Sequence, residues 1–137
     1  MIKICILYIV LILTVLTGCS QEVSKKWRQL GIPSTGIIKI YPHSNENGFY
    51  ADYVGYPSAD LIRQISSNLQ KSGYVEVCSK FDGMVKGFQK GDKTYVLKTA
   101  DLGEKVGISF FNEQGEEPLL YGLCFKGYQL SDPVRLR

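Results

Sequence analysis

Histidine is almost absent from this sequence: His43 is the only one in 137 residues. A Ser-His-Asp or Cys-His mechanism would need it as the base, and no Gly-x-Ser-x-Gly elbow lies near it. No cysteine pair has the Cys-x-x-Cys spacing of a redox dithiol, and a zinc site usually draws on more His and Cys than this chain offers. Gly83-Met84-Val85-Lys86-Gly87 lacks the spacing and the Lys-Ser/Thr of a phosphate-cradling loop. The carboxylates Glu113, Glu116 and Glu117 share one loop and read as a solvated acidic turn, with a weak calcium site as the lesser alternative. A net charge of +3 from 16 basic and 13 acidic residues calls for no nucleic-acid partner. These absences describe a chain with no metal, no cofactor and no catalytic residue, and hence not an enzyme.

What is present is 45% hydrophobic and 12% aromatic residues with 14 glycines, enough for one core and too little length for two. The chain opens Met1-Ile2-Lys3, followed by an apolar run from Ile4 to Leu16. A membrane-spanning helix needs about 20 such residues, so the run reads as a secretory signal. It ends in Leu16-Thr17-Gly18-Cys19, which resembles the lipobox of bacterial lipoproteins.

The resemblance implies cleavage before Cys19, a diacylglycerol on the Cys19 sulfur, and an acyl chain such as palmitate on the new amine. Two or three acyl chains, at about 0.8 kcal/mol per buried CH₂, make a lasting anchor. Ser20, in place of Asp, resembles the signal that sends Gram-negative lipoproteins to the outer membrane, facing the periplasm. The expected organisation is a signal peptide over 1–18, a lipidated tether over 19–29 and a single domain over 30–137. Lys25, Lys26 and Arg28 follow the anchor closely enough to favour an anionic leaflet. Trp27 can sit at headgroup level or fold back onto the domain.

In the body of the chain, Gly36–Tyr41 and Phe49–Val54 read as strands joined by the loop Pro42–Gly48. Ser58 is a candidate N-cap for a helix whose stripe is Leu61, Ile62, Ile65 and Leu69, closed by Gly73. From there the period is two: Tyr74–Lys80, Met84–Lys90, Thr94–Thr99, Lys105–Phe111 and Leu119–Phe125 read as five strands. Val75, Val77, Tyr95, Leu97, Val106, Ile108, Phe110, Leu119, Tyr121, Leu123 and Phe125 are expected to face the helix. The fold class is α+β: an antiparallel meander, β-β-α-β-β-β-β(-β), packed on or curled around a single helix. One helix about 10 Å wide cannot cover that many strands, so the sheet curls or leaves apolar surface for a partner. The order of elements, with Phe88-Gln89-Lys90-Gly91 in the meander, is similar to small bacterial lipoproteins of unknown function, which implies a fold class and nothing finer.

Cys78 and Cys124 fall on strand faces opposite the core residues. A cross-strand disulfide forms there if the strands are neighbours; two free thiols are the alternative. Tyr41, His43, Phe49, Tyr50 and Tyr53 cluster around the first hairpin, where aromatic side chains anchor partners or complete the sheet. The expected function is a membrane-anchored, non-enzymatic binding or accessory module of the cell envelope, with an envelope protein as partner. The alternative is an inhibitor or immunity lipoprotein that blocks a toxin or lytic enzyme with a protruding Pro42–Gly48 loop.

Overall fold

The computed structural model describes residues 22–129. Its elements, in chain order, are α1 (Lys25–Gln29), β1 (Ile37–Ile40), β2 (Gly48–Tyr53), α2 (Ser58–Lys71), β3 (Val75–Lys80), β4 (Val85–Lys90), β5 (Lys93–Asp101), β6 (Val106–Phe111) and α3 (Pro118–Phe125). The six strands form one antiparallel sheet in the order β1-β2-β6-β5-β4-β3, so the fold is α+β. The last four strands are the expected meander; the first hairpin docks on its final strand, β6.

Helix α2 carries the chain from the β2 side of the sheet to the opposite edge at β3. Its buried stripe is Leu61, Ile62, Ile65 and Leu69. Pro57, not Ser58, occupies the N-cap position, one residue earlier than the sequence suggests. At the other end Gly73 adopts φ +95°, its N–H donates to the Gln70 carbonyl, and the Tyr74 N–H reaches back to Leu69. This is a Schellman closure, in which Tyr74 and Leu69 also meet in the core.

Strand parity divides the side chains between two layers. Phe49, Ala51, Tyr53, Phe88, Tyr95, Leu97, Val106, Ile108 and Phe110 pack with α2 in the main core. Tyr50, Val85, Val96 and Phe111 form a second cluster on the other face, with Tyr121 of α3. The six-stranded sheet therefore carries a helix on each face, α2 over one and α3 over part of the other.

Three expectations are corrected here. Leu119–Phe125 is helix α3 and not a strand: its alternation was one reading of a run apolar at nearly every position, and Pro118 suits the first helical turn. No place for a further strand exists beside β6, which already pairs with β2 and β5. Val75 and Val77 are 62% and 50% exposed, because a bulge between Glu76 and Cys78 breaks the period-two parity of this edge strand. Trp27 is 2% exposed and packs in T-shaped contacts with Tyr95 and Phe110. Val23 is buried too, so residues 23–29, expected within the tether, pack with the domain.

Candidate functional site

The register of the sheet shows how a groove arises on the face opposite α2. One cross-strand row runs Gly48, Phe111, Val96, Gly87, Cys78, and the next Tyr50, Ser109, Lys98, Val85. A third row places Asp52 beside Gly107 and Gly107 beside Ala100. Helix α3 has eight residues, about 12 Å of length, and covers the first row and part of the second. Beyond it the small side chains of Gly107, Ala100 and Ser109 leave a groove of about 380 Å³.

Tyr41, His43 and Tyr50 form one wall, and Leu102, Lys98, Glu116 and Glu117 close the groove elsewhere. The His43 ring lies 4.4 Å from that of Tyr50, centroid to centroid. The Tyr50 hydroxyl accepts the backbone N–H of Glu116 at 2.8 Å, and burial pushes its pKa above the ordinary 10.0. Gly48 is bare because the Tyr50 ring lies against it: an added Cβ would stand 2.4 Å from the Tyr50 hydroxyl oxygen.

The floor carries a buried carboxylate. Asp52, its side chain 2% exposed, accepts the Tyr41 hydroxyl at 2.8 Å and the Lys105 ammonium at 3.0 Å on the same oxygen, Oδ2. Those bonds raise the pKa of Tyr41, which donates to the carboxylate, and that of Lys105, whose charge it favours. Gly107 keeps the space over Asp52 Oδ1 open, since a Cβ there would lie 3.6 Å from that oxygen. Lys98 pairs with Glu117 Oε1 at 2.7 Å, while Glu117 Oε2 is buried with no hydrogen-bond partner.

Of the five aromatic residues singled out at the first hairpin, the structure brings Tyr41, His43 and Tyr50 together in this groove. Phe49 and Tyr53 are corrected: they alternate onto the α2 face, 1% and 0% exposed, and are core residues. Tyr53 donates its hydroxyl to the Pro33 carbonyl at 2.6 Å, and burial holds it protonated far into the alkaline range. The Pro42–Gly48 loop is tied to the rest of the domain. Asn45 accepts the Trp27 indole N–H at 3.1 Å on its carbonyl, Ser44 exchanges two hydrogen bonds with the Tyr50 backbone, Asn47 pairs with Asn112, and Lys26 donates to the Glu46 carbonyl. Asp52, Lys98, Lys105 and Ser109 went unnoticed in the sequence, because only the pairing of β6 with β2 and β5 collects them, and Glu117, read there as part of a solvated acidic turn, instead reaches in to pair with Lys98.

Cys78 and Cys124 are joined, with Cα atoms 5.5 Å apart. The bridge ties an edge strand to a helix and is not cross-strand. Glu113 pairs with Lys126 at 2.8 Å, and among the described residues no three His, Cys, Asp or Glu side chains converge as metal ligands. A second gap, of about 410 Å³, lies between Glu22–Trp27 and Ile40–Phe49; it separates the leading segment from the hairpin and is lined by Glu22, Lys26, Asn45 and Glu46 beside Trp27 and Phe49. The lipobox, Cys19 and the signal segment 1–18 lie outside the described residues. The chain matches no protein-family model, no curated protein and no solved structure.

Proposed function

We propose that this chain is a lipoprotein of the bacterial cell envelope, anchored through Cys19, and that its domain is a non-enzymatic binding module whose partner, an envelope protein, seats in the outer-face groove. The observation that carries the reading is the half-covered sheet: α3 seals one end of the outer face and leaves Tyr41, His43 and Tyr50 framing an open floor of small residues. Aromatic walls beside a few converging polar groups are the usual make-up of a recognition surface. Asp52, Lys105, Lys98 and Glu117 are held in fixed pairs, which suits a template for hydrogen bonds better than a proton-transfer site. The lipobox supplies the address, and the absence of a motif for catalysis in the sequence agrees with a binding role.

In-cell photo-crosslinking tests this. A photo-reactive residue at His43 or Leu102, both at the groove, should capture the same envelope protein, while one at Ser79 on the β3 edge should not. Capture from Ser79 alone, or nothing from both groove positions, rejects the groove as the binding surface.

A further inference from the structure

The two ends of the sheet differ in charge. One end holds Glu22–Trp27, the Ser44–Glu46 loop, the Gly91-Asp92 turn and the C-terminus of α2; contacts of Trp27 with Asn45 and Tyr95, and of Lys90 with the Ser72 carbonyl, gather them. The strand registers place the turns Phe81–Met84 and Leu102–Glu104 at the opposite end. Among the described residues five basic side chains have a carboxylate partner: Arg63, Lys86, Lys98, Lys105 and Lys126. Of the remainder, Lys39 lies on β1, and Lys25, Lys26, Arg28, Lys71, Lys90 and Lys93 stand at the first end, six cations against four unbridged carboxylates, Glu22, Glu46, Asp92 and Glu116, the last in the loop after β6 whose Asn112 bonds Asn47. At the far end Lys80 alone faces the unbridged Asp82, Asp101 and Glu104.

We infer that the basic end is a docking surface for the anionic phospholipid headgroups of the leaflet that holds the anchor, and that the acidic end points away from the membrane. The inference rests on the lipidation of Cys19 proposed above. Val23 is fixed in the core, and the four residues from Cys19 to Val23 span at most about 14 Å of extended chain. A tether that short holds its own end of the domain against the bilayer, and that end is the basic one. Charge and reach thus select the same orientation, and the exposed apolar side chains Phe81, Met84 and Leu102 are carried at the end facing away.

Lysine footprinting of the full lipidated chain tests the orientation. The protein is reconstituted into vesicles of phosphatidylethanolamine and phosphatidylglycerol, into phosphatidylcholine vesicles, and into detergent, and acetylation of each lysine is followed by mass spectrometry. On the anionic vesicles Lys25, Lys26, Lys90 and Lys93 should label about fivefold more slowly than in detergent, the equivalent of about 1 kcal/mol per basic residue at an anionic surface. Lys80 should be unchanged. The protection should weaken on phosphatidylcholine and at about 1 M salt, where the Debye length is about 3 Å. Lys90→Glu with Lys93→Glu should reduce protection at Lys25 and Lys26 as well. Acylated protein with equal protection at both ends, or protection centred on Lys80, overturns the orientation and leaves the anchor standing. A mass spectrum without an acyl chain on Cys19 overturns the anchor, and the orientation with it.

Discussion

Gly87 leaves the room that Cys124 occupies on the sheet's outer face: a Cβ on Gly87 would come 3.2 Å from the Cβ of Cys124 and 3.0 Å from that of Cys78. The bare backbone of β4 at this point is what lets α3 approach and the bridge close. The aromatic ring of Phe125 fills the same hollow, 3.1 Å from the position the Cβ would take. Gly87→Ala is expected to cost about 1–3 kcal/mol, the usual range for overpacking a filled site. A urea titration of the oxidised protein reads this as a lower midpoint at unchanged slope.

Reducing the bridge should cost more. It closes a separation of 46 residues, for which the chain-entropy account gives about 4 kcal/mol. Cys78→Ala with Cys124→Ala should lower the urea midpoint by more than Gly87→Ala. The added mutation Gly87→Ala should cost less in that background: the Cβ atoms it crowds remain, but β3 and α3 are no longer tied together and can part to admit the methyl group.

The bonds to Asp52 predict a measurable coupling. Tyr41→Phe removes one donor and is expected to cost about 1 kcal/mol. Asp52→Asn takes the charge from the carboxylate that holds both Tyr41 and Lys105. The double mutant should be less destabilised than the sum of the two, with an interaction energy of about 0.5–3 kcal/mol. Additive effects would show that the Tyr41 hydroxyl and the Asp52 carboxylate are not coupled.

Alkaline pH should unfold the domain sooner than its charge alone suggests. Burial raises the pKa of Tyr50, Tyr53, Tyr74 and Tyr95, and hydrogen bonding to Asp52 raises those of Tyr41 and Lys105. Each raised group gives up its proton more readily when unfolded. The stability it contributes is complete below about pH 10 and is lost as pH rises through the folded-state values. Urea midpoints should therefore hold between neutral pH and about 9 and fall steeply above about 10. A tyrosinate absorbance titration should show a late-ionising fraction that merges with the main one in urea.

The turn after β3 offers the opposite sign. Phe81 and Asp82 sit at φ 53° and 55°, a left-handed conformation that costs a side-chain-bearing residue about 1–2 kcal/mol. Phe81 is also exposed. Phe81→Gly, which elsewhere lowers stability through unfolded-chain entropy, should here leave the thermal midpoint unchanged or raise it.

The sequence made α2 legible down to its glycine stop, because an apolar stripe and a C-terminal Gly73 mean the same thing in any helix of this length. The strands over Val85–Phe111 were equally clear, each bounded by turn residues. Leu119–Phe125 misled because Leu120 and Cys124, which alternate with the residues expected to face the helix, are nearly as apolar as those residues, so period carried no information there. Val77 misled because a bulge leaves no trace in composition. The groove was half visible: Tyr41, His43 and Tyr50 are neighbours in the chain, whereas Gly107 and Ala100 acquire meaning only once β2 lies beside β6.

That neighbourhood also sets an order of events in folding. Each residue of β2 finds its ladder partner 53 to 63 positions later, Tyr53 with Val106 and Gly48 with Phe111. As the chain emerges from its N-terminus, the first hairpin has only β1 as company and a two-stranded ribbon is marginal by itself. The meander β3–β6, whose contacts are local, can assemble alone and then capture the waiting hairpin as a late, slow, long-range step. Until that capture Phe49 and Tyr53 have no core to enter. For this domain the vulnerable interval is thus the time during which β6 has an open edge and two large aromatic side chains remain wet.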